Sequence, residues 1–157
     1  MKLPFKPILL AWIIAATADA LAAIVVYAWI LNKTTVLQIF QGIASGIFGK
    51  DAFNGGTETA IPGLLLHYFI AFCWVILYFL LYPRFKFLQK NIIISAVIYG
   101  LFIWLFMNVI VLPLTFGRAP ALTMNNIFTG SIILMFAIGL PVAIIAGQYF
   151  RKRMQQR

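Results

Sequence analysis

The sequence predicts an all-α membrane protein, with four transmembrane helices in a bundle and one short amphipathic or re-entrant helix in the first outer loop. Three observations predict it. Of the 157 residues, 64% are hydrophobic and 10% charged, whereas soluble domains carry about 45–50% apolar and about 25% charged residues. Four apolar runs are each long enough to cross a hydrocarbon core, which needs about 20 residues. The 12 Lys and Arg residues fall in short flanks between those runs, where basic side chains set topology. The chain, 1–157, therefore reads as a single transmembrane domain.

The spans are placed at about 8–31, 61–82, 92–112 and 127–150. Only helices or closed barrels satisfy their backbone hydrogen bonds inside lipid. These runs are continuous rather than alternating and far longer than a barrel strand, so they are helices. Lys2 and Lys6, the apolar stretch after them and Ala18-Asp19-Ala20 imitate a cleavable signal. The apolar run continues to Leu31, however, beyond the length of a signal's core, so the first span is expected to be an uncleaved anchor. Trp12, Trp29, Tyr82 and Tyr149 lie near span ends and suit headgroup anchoring.

In the loop 32–60, Val36, Ile39, Phe40, Ile43, Ile47 and Phe48 recur at helical spacings and predict a helix over 36–49, stopped at Gly49. At about 1.5 Å per residue it is too short to span, so it lies on the outer interface or re-enters between spans. Gly42 and Gly46 form a GxxxG pair that allows close helix approach. Asn54-Gly55-Gly56 predicts a turn, and Pro62 suits the first turn of the second span. A short basic loop, 83–90, makes the second and third spans an antiparallel hairpin. Pro113, Gly117 and Pro120 predict an irregular second outer loop. In the last span Gly139, Ala143 and Gly147 recur every four residues as a packing seam, within the bundle or between protomers, and Pro141 is a kink site. Phe69, Phe72, Phe79, Phe102 and Phe106 are read as facing lipid or neighbouring helices, and no cofactor is needed to explain them.

Charge orients the spans. Lys2, Lys6, Arg84, Lys86, Lys90, Arg151, Lys152, Arg153 and Arg157 fall on one side, against Lys33, Lys50 and Arg118 on the other, which Asp51 and Glu58 offset. The positive-inside rule then puts both termini in the cytoplasm, as an even number of crossings requires. The net charge of +9 would suggest nucleic acid in a soluble protein. Confined to span flanks, it implies instead the lipid bilayer and the anionic headgroups of its cytoplasmic face as partners, and no nucleic acid. The single cysteine, Cys73, permits no intrachain disulfide or dithiol chemistry, and no Cys/His cluster suggests a metal. It reads as a small packing residue.

Candidate functional residues are the polar ones inside the spans, because an ionisable group is costly there and usually faces the bundle interior. Asp19 is the one acid in any span, beside Thr17 and on a face carrying Ala15, Ala16, Ala22 and Ala23. His67 lies in the second span. At 1.5 Å per residue, Asp19 should lie about 18 Å below the outer end of its helix and His67 only about 9 Å below its own, which argues against a direct pair. Asn108 in the third span and Ser131 in the fourth match His67 better. The expectation is an outward-facing polar pocket of His67, Asn108 and the start of the fourth span, with Asp19 at its floor. For Thr17, Asn108 and Ser131 an ordinary interhelical hydrogen bond is the favoured reading.

The run Gly42-Ile43-Ala44-Ser45-Gly46, the GGTETAIPG turn followed by His67, and the third span ending Asn108-Val109-Ile110-Val111-Leu112-Pro113 together resemble small bacterial inner-membrane proteins of the YagU-like kind. The resemblance is one of layout over most of the chain. It implies a multi-pass protein of the bacterial inner membrane, and it carries over no catalytic residue.

Three functions compete on this reading. The first is a non-enzymatic oligomeric or accessory membrane subunit, as a homo-oligomer or within a larger complex, with the outer amphipathic helix as partner surface. The second is a small proton-linked carrier or channel-like unit using Asp19 and His67. The third, a membrane-embedded enzyme, ranks last because one Asp, one His and one Cys without a recognisable motif are a poor catalytic inventory.

Overall fold

The computed structural model describes residues 4–116 and 123–155, so Lys2, Gly117, Arg118, Pro120 and Arg157 lie outside the described residues. Within them are six helices and no strand. The four long ones, α1 (Phe5–Ile30), α3 (Gly56–Leu81), α5 (Ile92–Phe116) and α6 (Met124–Arg153), are all long and apolar enough to cross a membrane. Between them lie α2 (Val36–Phe48) and the short α4 (Lys86–Lys90).

Local chemistry fixes the starts of three helices. Thr35 accepts from the Gln38 amide while the Gln38 side chain accepts from the Thr35 amide, a capping box that opens α2. Gly49, at φ 63°, ends it in a conformation that suits glycine. Asn91 caps α5 by accepting from the Ile93 and Ile94 amides, and Thr123 caps α6 by accepting from that of Asn126.

Two prolines shape the spans. A proline lacks the amide and its ring crowds the carbonyl four residues back. Ahead of Pro113 the helix widens to a π-turn at Met107–Val111, with the Leu112 amide bonded to the Met107 carbonyl. Ahead of Pro141 it widens at Met135–Gly139, with the Leu140 amide bonded to the Met135 carbonyl. In both, one wide turn absorbs the missing bond and the helix continues.

The bundle has two unlike ends. Towards the basic end, where Arg84, Lys86, Lys90 and Arg151 lie, it is packed with aromatics. Tyr78 and Tyr99 meet edge to face with centroids 4.7 Å apart, and Tyr82 stacks on Phe150 at 5.0 Å. Their hydroxyls are satisfied in lipid-excluded surroundings: Tyr78 Oη lies 2.6 Å from Ser95 Oγ, and Tyr99 donates to the Trp74 carbonyl at 2.5 Å. Towards the other end α2 lies against α3, where Gln41 donates to the Gly56 carbonyl at 3.1 Å.

Several sequence expectations are corrected. The second span starts at Gly56 rather than near residue 61, because Gly56-Thr57-Glu58-Thr59 forms a polar first turn with an acid where the helix dipole favours one. Pro62 consequently sits inside the helix and not in its first turn. Tyr82 is buried on Phe150 rather than at a headgroup boundary, and Cys73 is exposed on the outer face of α3 rather than packed.

Helix approach is closest where a glycine removes the Cβ. A Cβ on Gly63 would overlap the Phe40 carbonyl of α2, and one on Gly139 would overlap the Ala96 carbonyl of α5. Gly42 faces open space. Gly63→Ala and Gly139→Ala are therefore expected to lower stability by about 1–3 kcal/mol, whereas Gly42→Ala should leave it unchanged or raise it by up to about 1 kcal/mol. Unfolding titrations in mixed micelles check the contrast.

Candidate functional site

Small residues bring α1 and α3 together. Ala11, Ala15 and Ala16 of α1 are fully covered, and Ala20 packs with Ala60 of α3 and Phe40 of α2. Three contacts then lock the register. Trp12 Nε1 donates to the Tyr68 carbonyl at 2.7 Å, Thr17 Oγ1 lies 2.8 Å from Tyr68 Oη, and His67 Nε2 lies 2.9 Å from the Ala16 carbonyl. A carbonyl only accepts, so Nε2 carries a proton and donates it. The same Nε2 is 4.0 Å from Asp19 Oδ2.

The argument from depth against this pair is thus overturned. It placed the start of the second span at residue 61. With α3 starting at Gly56, His67 lies eleven positions from the end of its helix, and Asp19 lies eleven from Ile30. At about 1.5 Å per residue both sit about 16 Å deep. The start of α3 accounts for about 7.5 Å of the discrepancy, and the end of α1 at Ile30 rather than Leu31 for about 1.5 Å.

Both residues line a cavity of about 460 Å³. Its walls are Ile39, Gly42, Ile43 and Gly46 from α2, Ile70 and Trp74 from α3, Met107, Val111 and Thr115 from α5, and Leu134 and Ile138 from α6. Met107, Val111 and Ile138 belong to two of the three π-helical stretches among the described residues, a deviation that recurs at functional sites. The third is Ile24–Ile30 in α1. A second groove, sharing Gly42, Leu112, Thr115 and Phe116 with the chamber, leads on to Lys50 and Phe53. At the opposite end Trp74 and Ile103 close the chamber against the aromatic core.

The expected polar pocket is corrected in its composition. Asn108 donates to the Trp104 carbonyl of its own helix at 2.8 Å, and Ser131 donates to the Ile127 carbonyl of its own. Neither lines the chamber, whose walls are aliphatic and aromatic apart from Asp19, His67 and Thr115. Thr17 is taken up by Tyr68. Of the small residues, Gly139 meets Ala96, Ala143 is buried, Gly147 lies near the Tyr82 hydroxyl, and Gly46 lies near Thr115, so the seam of the last span is used within the bundle. Sequence reasoning missed Gly63. Its signal was the stripe Ala60, Gly63, His67, Ala71, which puts small residues and the histidine on one face of α3. Among the described residues no three His, Cys, Asp or Glu side chains gather as a metal site would require.

The chain matches no protein-family model, no curated protein and no solved structure, so the site itself carries the functional reading.

Proposed function

We propose that this chain is a proton-linked carrier unit of the bacterial inner membrane, with both termini cytoplasmic and Asp19 and His67 as its ionisable pair. One observation carries the reading: an acid and a histidine on different spans, 4.0 Å apart, at the wall of an open chamber. An accessory role explains the helix packing but gives no reason for placing two ionisable groups where insertion of an acid alone costs about 2.5–3.5 kcal/mol. In membrane proteins such groups mark ion and substrate pathways.

The asymmetry of the bundle supports the same reading. The chamber opens at the α2 end, while stacked aromatics seal the basic end, as one state of an alternating-access cycle requires. Wide turns before Pro113 and Pro141 provide places where the α2-end halves of α5 and α6 can pivot. Four spans are few for a complete pathway, so the working unit includes at least a second copy. Arg84, Lys86, Lys90, Arg151 and Lys152 meet anionic headgroups at the cytoplasmic face.

Two experiments test this. Ile43, on the chamber wall, is changed to cysteine in a Cys73→Ser background, and its labelling by a membrane-impermeant maleimide is followed in sealed vesicles. The rate is taken relative to a free small-molecule thiol in the same buffer, because the thiolate fraction itself changes about tenfold per pH unit. This relative rate should change several-fold across about pH 5 to 8, and Asp19→Asn should flatten that response. A relative rate that is the same at both extremes with Asp19 intact would contradict the carrier reading. For orientation, a carboxyl-terminal fluorescent protein should fluoresce in cells, while alkaline phosphatase fused at the same point should stay inactive; the reverse pattern refutes the topology.

A further inference from the structure

We infer that the chamber binds a hydrophobic organic cation, held by its charge against Asp19 in competition with a proton. The inference rests on the carrier reading for its coupling to protons, whereas the binding rests on the geometry alone.

Asp19 is short of partners. Among the described residues its carboxylate accepts no hydrogen bond, and the nearest cationic group, His67 Nε2 at 4.0 Å, already donates to the Ala16 carbonyl. An ionised carboxylate in a poorly solvated chamber attracts a positive charge far more strongly than it would in water. No wall of the chamber supplies one. The α2 residues are Ile and Gly, α5 offers Met107, Val111 and Thr115, and α6 offers Leu134 and Ile138. Of the other ionisable groups nearby, Tyr68 is bonded to Thr17, Tyr27 two turns along α1 is close enough to interact with the Asp19 charge but brings no positive charge, and Lys50 stands in the outer groove next to Asp51.

Ligand chemistry follows by comparison. An organic anion would bring its charge towards Asp19. A small metal ion needs about six oxygen ligands or retained water, and the walls offer one carboxylate and a threonine hydroxyl. A neutral apolar molecule leaves the carboxylate unpaired. An organic cation with an apolar body satisfies both the acid and the aliphatic walls. The volume of about 460 Å³ falls in the range of about 300–1,000 Å³ that holds drug-sized ligands.

A proton that binds the Asp19 carboxylate removes the charge that holds the cation, so proton and cation compete for one site.

The test uses the full-length chain purified in detergent. Radiolabelled tetraphenylphosphonium is measured by equilibrium dialysis beside tetraphenylborate, an anion of the same shape. Tetraphenylphosphonium should saturate at one site per chain, with affinity falling up to about tenfold for each unit of acidification where the proton displaces it from Asp19, as exchange of one proton requires. Asp19→Asn should weaken binding at least about tenfold, equivalent to about 1.4 kcal/mol. Asp19→Glu should keep both the binding and its pH dependence, and His67→Gln should still bind. Equal binding of tetraphenylborate, full affinity in Asp19→Asn, or pH-independent binding to the unaltered chain would each overturn the inference. Failure of the two readings can be told apart. Selective cation binding without pH-gated labelling of Ile43→Cys overturns the carrier and leaves the cation site, whereas gated labelling without tetraphenylphosphonium binding overturns the cation site alone.

Discussion

A carboxylate and an imidazole from different spans meet at 4.0 Å in a chain that has only three acids and one histidine. Putting them there requires α1 and α3 to approach closely, and the covered Ala11, Ala15 and Ala16 of α1, with Ala20 packed on Ala60, allow it. Without a hydrophobic drive between helices in lipid, small faces and interhelical hydrogen bonds are what hold such a pair together. The bonds from Trp12, Thr17 and His67 all fall on one stretch of this seam. The rest of the bundle either supports that seam or leaves space beside it.

Support and space are divided between the two ends. The basic end is filled by rings, with the Tyr78 and Tyr99 hydroxyls bonded internally. The α2 end is held apart. Gly63 seats α2 against α3, α2 rests there instead of against α5, and the gap between α2 and the end of α5 becomes the chamber. The prolines of α5 and α6 displace turns next to that gap rather than in the aromatic half. Packing density and helix irregularity thus change together along the bundle, and the ionisable pair lies where they change.

The spans, the α2 helix and the glycine that ends it were legible because apolar run length and helical spacing report directly on solvation by lipid. Asp19 and His67 were legible as residues, since each stands out within an apolar run. Their contact was not. A difference of five residues in where α3 begins, set by the polar turn Gly56-Thr57-Glu58-Thr59, moved His67 by about 7.5 Å at 1.5 Å per residue. A hydropathy reading starts a helix at its first apolar residue, whereas the backbone starts it at the preceding turn. Asn108 and Ser131 misled for a different reason: inside a helix a short polar side chain can return to the carbonyl four residues back, and both do. Depth alone does not reveal that choice.

The account depends on Asp19 and His67 being energetically linked across the α1–α3 seam. A double-mutant cycle with Asp19→Asn and His67→Gln, read by reversible unfolding in mixed micelles near neutral pH, measures that link directly. The account predicts a coupling of about 0.5–3 kcal/mol. Effects that add to within about 0.3–0.5 kcal/mol, as for distant and independent sites, would contradict it.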